Sequence, residues 1–276
     1  MKHLNVGAIQ MPLRINVCLK PITENPSAGG WRFMKDSDPS YGSDRFRMNL
    51  YDAHALEAAL QLKARLSDVF VQAIGLGPSG AETVLKRAVG MGADRAVHGK
   101  VAEPTDPLST AGILTNLVHR YPCDLLFFGY MAEDSQQALT GPMTAALLEW
   151  PCLSAVVSES IHPDVAGKPL VCATRELEAG VLETIECSLP AVLTIQTRAF
   201  QPRYPALSKM LRSSESLVTI EERDMPTLSK PVQEVLDTRV PEASRSLVRL
   251  DGSAEEQVLA LMDWLRLHHR LFVEVQ

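Results

Sequence analysis

The chain has 276 residues, 46% of them apolar and 22% charged, and a formal net charge of −6. Such a length buries a sizeable core, as one large domain or a domain with an appendage. The negative balance argues against a general nucleic-acid binder, whose phosphate contacts need a basic surface, and no apolar run approaches the roughly 20 residues of a membrane span.

Met1 to Arg14 has no sustained apolar stretch, so no secretory leader is expected there. The five cysteines (Cys18, Cys123, Cys152, Cys172 and Cys187) are scattered without a CxxC pair. This predicts neither a zinc site nor a disulfide framework, and fits a reducing cytoplasm.

Residues 15–19 read as a short buried strand. Residues 20–48, rich in Pro, Gly, Ser, Asp and Arg, predict a long loop or a small exposed hairpin. Leu56, Ala59, Leu60 and Leu62 recur at helical spacing through 51–66. A β-branched strand at 69–76 is broken by Gly-Pro-Ser-Gly at 77–80. A helix over 81–89 then closes at Gly90 and Gly92. A brief strand at 95–98 precedes a helix over 107–121, with Leu108, Ala111, Ile113, Leu114, Leu117 and Val118 on one face. The apolar strand 123–128 ends at Gly129, and a polar loop leads into a helix over 142–148. Strands alternating with helices predict an α/β, doubly wound, mostly parallel Rossmann-like sheet with right-handed crossovers. Ligands of such sheets sit beyond the carboxyl ends of the strands. Here those ends are 18–20, 76–78 and 128–140, three loops converging on one crevice.

Beyond Trp150, strands are expected at 153–157, 170–176, 182–188 and 191–196. They extend the sheet through an antiparallel hairpin, with clear alternation over 182–187. Residues 200–254 hold many Pro, Ser, Arg and Glu and few periodic runs, so they are expected to bury little against their own chain. A last helix, 254–269, carries Val258, Leu259, Leu261, Met262, Trp264, Leu265 and Leu267. A polar tail ending in an apolar helix reads as an arm lying on a partner. The expected organisation is an α/β domain at 15–200 and an extended arm with a terminal helix at 201–276.

Motifs for catalysis are sparse. Gly75-Leu76-Gly77-Pro78-Ser79-Gly80 is either a tight βα connection, the favoured reading, or a phosphate turn. The seven histidines lack metal spacing, and His54 reads as a helix-packing or exposed residue. Glu133 and Asp134 are loop neighbours rather than an acid/base pair. The 129–143 segment says more: a polar run enters a helix whose start carries Thr140 and Gly141. Free N–H groups and the dipole favour anions there, although capping by Thr140 accounts for part of the pattern.

Several stretches resemble one family. Met91-Gly92-Ala93-Asp94-Arg95-Ala96 resembles the MGADRA of electron-transfer flavoprotein β subunits. The run from Thr140-Gly141-Pro142-Met143 to Glu149-Trp150-Pro151 resembles their TGPMLAALLGWP. Ala173-Thr174-Arg175-Glu176-Leu177-Glu178-Ala179-Gly180, continued by 182–194, is similar to their signature hairpin. Ala179 stands there where Gly or an acid is usual. Pro202-Arg203-Tyr204-Pro205-Ala206-Leu207 resembles their PRYATL, and the match runs in order from about residue 15 to 212.

The resemblance implies an adenine-nucleotide α-hydrolase-like fold whose arm wraps a partner. It implies an electron-carrier subunit, not an enzyme, in an obligate heterodimer with an electron-transfer flavoprotein α subunit that carries the electron-transferring FAD. The crevice of the β subunit holds AMP, or a second FAD in bifurcating forms. On this chain it is lined by Cys18, Asn49, Asp52 and Leu76, and by Gly129, Met131, Ala132, Asp134, Ser135, Gln136, Gln137, Thr140 and Gly141. Ser135 and Gln136 stand where acids or glycine are common, and Leu139 replaces the usual glutamine. Arg203, Tyr204, Leu207 and Met210 correspond to a recognition loop that docks an acyl-CoA-type or other flavin-dependent dehydrogenase. The alternative is packing within this subunit. A quinone reductase or similar acceptor takes the electrons onward. Competing readings are a bifurcating form with FAD reduced here by NADH, a non-redox adenine-nucleotide-binding module, and a scaffold with a dead nucleotide site.

Overall fold

The structure is a computed structural model that describes residues 12–24, 45–101, 106–197, 200–225, 232–233 and 249–268. The readings made for residues 1–11, for the middle of the 20–48 loop, for most of the 226–248 arm and for His269 lie outside these residues.

The elements follow in order: β1 (Leu13–Leu19), β2 (Pro21–Glu24), β3 (Arg45–Met48), α1 (Leu50–Arg65), β4 (Val69–Gly77), α2 (Glu82–Met91), β5 (Arg95–Lys100), α3 (Pro107–Arg120), β6 (Leu125–Gly129) and α4 (Thr140–Leu148). Then come β7 (Cys152–Pro163), β8 (Pro169–Glu176), β9 (Leu182–Ser188), β10 (Ala191–Ile195), α5 (Leu207–Leu211), β11 (Leu217–Ile220) and α6 (Ala254–His268). Nine strands form one sheet in the order β11-β5-β4-β1-β6-β10-β7-β8-β9. Every pairing in it is parallel except those of the β7–β8–β9 hairpin edge. The doubly wound α/β reading holds, and β2 with β3 makes the small antiparallel hairpin that 20–48 allowed.

Period-2 alternation explains why both sheet faces are covered. In β1, Ile15, Val17 and Leu19 join one core with α1 and α2, through Leu56, Ala59, Leu85 and Ala88. Cys18 joins the opposite core with Ile113, Leu117, Ala145 and Leu148 of α3 and α4. In β6, Leu125 and Phe127 face the first core, Leu126 and Phe128 the second. At the strands' amino ends the register aligns Asn16, Gln72 and Arg95 across β1, β4 and β5. There Arg95 Nε donates to Gln72 Oε1 at 2.6 Å and Gln72 Nε2 to Asn16 Oδ1 at 3.2 Å.

The expectation that the chain after 200 buries little of itself is corrected. Leu217–Ile220 pairs with β5 as an edge strand, and Ile220 and Ser213 are buried. Four residues are too few for a readable period, so only pairing reveals the strand. Residues 237–276 form a separate unit. In it, α6 opens with a capping box: Glu256 N donates to Ser253 Oγ at 3.3 Å and Ser253 N to Glu256 Oε2 at 2.7 Å. Val258, Leu259, Leu261 and Leu267 of α6 are exposed.

Candidate functional site

Strand order runs outward from β1 through β4 to β5 on one side and through β6 to β10 on the other. The carboxyl ends of β1 and β6 therefore border the crevice where an α/β sheet takes its ligand. A cavity of about 590 Å³ opens there, within the ordinary range for small-molecule sites. Its walls come from the ends of β1, β4 and β6, the first turns of α3 and α4, and the 130–139 loop.

One side chain ties the two strand ends together. Asp52, in the first turn of α1, accepts the Lys20 N–H at 2.6 Å through Oδ2 and the Gly129 N–H at 3.0 Å through Oδ1. Burial raises its carboxyl to about pKa 7, against the lowering effect of these N–H groups and of Asn49. At neutral pH the group is poised between charged and neutral forms.

Asn49 sits just before α1 and is buried. Its Nδ2 donates to the Met131 carbonyl at 2.9 Å and its Oδ1 accepts the Glu133 N–H at 3.1 Å. The side chain thus clamps the 131–133 backbone at the cavity edge. Glu133 Oε2 accepts the Leu50 N–H at 2.8 Å at the start of α1 and pairs with Arg47 at 2.7 Å. Burial opposes ionisation of Glu133, but the Arg47 guanidinium and the Leu50 N–H keep its carboxyl below the usual range. Asp134 accepts Lys20 Nζ at 2.7 Å and the Ser135 N–H at 2.7 Å. Gln136 and Ala138 adopt left-handed backbone (φ 52 and 53) as the loop winds toward α4.

Of the residues singled out from sequence, Cys18, Asn49, Asp52, Leu76, Gly129, Met131, Ala132, Ser135, Gln137, Thr140 and Gly141 line the cavity. Asp134 and Gln136 do not. The Asp134 carboxylate is turned to Lys20 and its own loop backbone, and Gln136 sits at an exposed left-handed bend. Gly141 also has a packing reason: a Cβ there would stand 2.8 Å from Thr194 Cγ2, so glycine lets α4 settle on β10. None of residues 77–80 reaches the cavity, and the glycine-rich run is a βα connection with Gly80 at φ +99. His54 is buried on α1, as helix packing implied.

Sequence reasoning missed Ile74, Asp106, Pro107, Thr110, Leu114 and Gln233 as wall residues. Asp106 was legible, because Asp followed by Pro107 is a helix-start signal. Its Oδ1 accepts the N–H groups of Leu108 at 3.0 Å and Ser109 at 3.3 Å. Gln233 carries no local signal. In contrast to α3, the start of α4 has no side-chain cap, which leaves its first N–H groups and dipole facing the cavity end that Thr140 lines.

In the 203–210 segment, Tyr204 and Leu207 are 93% and 70% exposed. Arg203 is engaged within the chain: Nε and Nη2 each meet a different oxygen of buried Glu57 at 2.8 Å. Met210 packs onto α2, where Gly90 leaves room for it and for Pro205.

Among the described residues no helix is long and apolar enough to cross a membrane. The electron transfer flavoprotein domain matches as a family over residues 42–235. The electron transfer flavoprotein subunit beta of Mus musculus is 34% identical over 177 residues, 63% of this chain and 67% of the mouse protein. That of Methylophilus methylotrophus is 29% identical over 229 residues, 79% and 84% of the two chains. The mitochondrial subunit of Arabidopsis thaliana is 32% identical over 212 residues, 76% and 83%. With that domain matched over most of this chain and the mouse β subunit 34% identical across two thirds of its own length, this chain belongs to the electron transfer flavoprotein β-subunit family.

Proposed function

We propose that this chain is the nucleotide-holding half of a heterodimeric electron carrier. Its partner is an α subunit bearing FAD, and electrons pass from a flavin-dependent dehydrogenase to a quinone reductase or similar acceptor. The observation that carries the reading is the cavity at the β1/β6 switch point, which the uncapped start of α4 and Lys20 make hospitable to a phosphate.

A volume of about 590 Å³ suits a mononucleotide such as AMP. In the residue roles that follow, Thr140 and Gly141 N–H groups receive the phosphate, and Lys20 adds charge at the rim. Cys18, Ile74, Leu76 and Phe128 give the apolar wall for a base. Asp52 holds the strand ends apart at a fixed spacing, and Asn49 holds the loop over them. The redox chemistry resides in the FAD of the complex; this chain's residues bind, orient and exclude water. Tyr204 and Leu207, standing outward on a segment anchored by the Arg203–Glu57 pair, are the surface offered to the dehydrogenase. The exposed apolar face of α6 is offered to the α subunit. The five free thiols suit the reducing cytoplasm.

The test is co-expression with the α subunit, purification of the complex, and identification of released cofactors by chromatography and absorbance. One FAD and one AMP per heterodimer is expected. Two FAD would replace this reading with bifurcation, and one FAD alone would replace it with a scaffold lacking its nucleotide.

A further inference from the structure

Among the described residues that line the cavity, Lys20 is the one lysine or arginine. Its ammonium is already engaged. Nζ meets Asp134 Oδ1 at 2.7 Å and Ser135 Oγ at 3.5 Å, and the same Asp134 oxygen accepts the Ser135 N–H at 2.7 Å. Lys20 and Ser135 line the cavity and Asp134 does not, so the carboxylate's charge is felt there without its oxygens being offered to a ligand. The neighbouring pair is closed in the same way: Glu133 Oε2 meets Arg47 at 2.7 Å, and neither side chain is a wall residue. The other charged wall residues are Asp52 and Asp106, both acidic. The cavity thus offers a phosphate one compensated cation and the N–H groups at the start of α4. Sites for di- and triphosphates instead gather several cations around the phosphate chain.

We propose that Asp134 is a positioning residue for Lys20 that sets the phosphate charge the cavity accepts, favouring a nucleoside monophosphate over its di- and triphosphate. The proposal rests on the reading that the cavity binds a nucleotide. An ammonium has three donors, so Lys20 keeps Asp134 and Ser135 as partners and still has an N–H for one phosphate. The first phosphate gains that bond and the N–H groups of α4. A second or third finds no further wall cation among the described residues, while the charges of Asp134, Asp52 and Asp106 repel it. Discrimination is a difference of affinities, and a like charge set against the wrong ligand supplies it as surely as a contact to the right one. Because Lys20 and Asp134 are both partly exposed, the effect has the size of a surface charge interaction and weakens with salt.

The test uses the full-length heterodimer loaded with AMP and exchanged to a steady composition against ATP or adenosine. Bound nucleotide is separated by gel filtration and identified by chromatography. Asp134→Asn keeps an oxygen for the Ser135 N–H and removes the charge. It is expected to raise the bound ATP:AMP ratio about threefold and to lower the adenosine:AMP ratio about as much, the weight of one exposed charge interaction. Both shifts are expected to shrink at about 1 M salt, where the screening length is about 3 Å. Lys20→Met is expected to move both ratios the opposite way, and it carries the test if the Asp134→Asn heterodimer does not assemble. A role confined to holding the loop together would change the total nucleotide retained without ordering the change by ligand charge. Ratios unmoved by Asp134→Asn or by Lys20→Met, or an ATP:AMP ratio that falls in Asp134→Asn, overturn the proposal while leaving the nucleotide reading intact. An unaltered heterodimer that retains none of the three ligands overturns that reading and the proposal with it.

Discussion

The Asp52 carboxylate accepts the Gly129 N–H at 3.0 Å while its other oxygen accepts that of Lys20 at 2.6 Å. A helix residue thereby fixes the spacing of two strand ends at the point where the sheet reverses its order. A Cβ at Gly129 would stand 2.6 Å from the Asp52 backbone nitrogen. Gly129→Ala therefore forces α1 away from β6. The expected cost is about 1–3 kcal/mol of stability, read as a lower urea midpoint with unchanged slope, together with weaker nucleotide retention.

The same carboxylate sets a pH dependence. Its folded pKa is raised by burial to about 7, from an ordinary value of 3.8. Between those values the folded state holds a proton that the unfolded state has lost, so stability falls as pH rises through the window. For one such group, moving from pH 6 to pH 8 costs roughly 1.4 kcal/mol. Urea unfolding at the two pH values is expected to show a larger loss in the native chain than in Asp52→Asn, the difference being about this size.

Glu159 on β7 poses a sharper version. Its side chain is fully buried, Oε2 has no partner among the described residues, and the other oxygen pairs with Arg65, a side chain 51% exposed. Burial raises its carboxyl to about 7 despite that pairing. Arg65→Ala is expected to cost roughly 2 kcal/mol at pH 8, where it strands a buried charge. At pH 5.5 the cost is expected to shrink, because the carboxyl is then protonated. An equal penalty at both pH values, measured by urea unfolding, would show that the ion pair is not what Arg65 contributes.

At the tip of the β8–β9 hairpin, Ala179 and Gly180 both have positive φ, 57 and 72. This is the pattern of a type I′ turn, which favours Gly or Asn at both central positions. Ala179 carries a strain of about 1–2 kcal/mol in the left-handed region, and glycine's greater unfolded-state freedom offsets part of any relief. Ala179→Gly is expected to raise stability by about 0.5 kcal/mol and Tm by a degree or two, with cofactor content unaffected.

Arg203 and Leu207 separate folding from docking. Arg203→Ala leaves buried Glu57 without its two guanidinium bonds and is expected to cost roughly 2–3 kcal/mol. Leu207→Ala, at 70% exposure, should leave the unfolding midpoint in place. It should lower the rate of electron transfer from a cognate dehydrogenase, measured by stopped-flow reduction of the complex. Equal rates for Leu207→Ala and the native complex would remove it as a docking anchor.

Much of the fold was readable from local pattern. The apolar runs that became β1, β4, β6 and β10 are bounded by glycine, proline or charge, and the helices between them keep one apolar stripe. That alternation implied a parallel sheet, and the sheet implied a crevice at Cys18, Leu76 and Gly129. The edge strand Leu217–Ile220 escaped because four residues carry no period. Gln233 escaped because its place in the wall depends on Gln137, 96 positions earlier.

Sequence by itself determined the class of the molecule and the end of the sheet where the cavity opens, because hydrophobic periodicity and chain-breaking residues act within a few positions of one another. Only the tertiary structure decided what the polar side chains do. Asn49 clamps a loop, Asp134 turns to Lys20, Arg203 grips Glu57, and Asp52 spans two strands. A buried polar group must find a partner wherever the fold places one, and the partners here lie between 32 and 146 residues away, beyond the reach of any local signal.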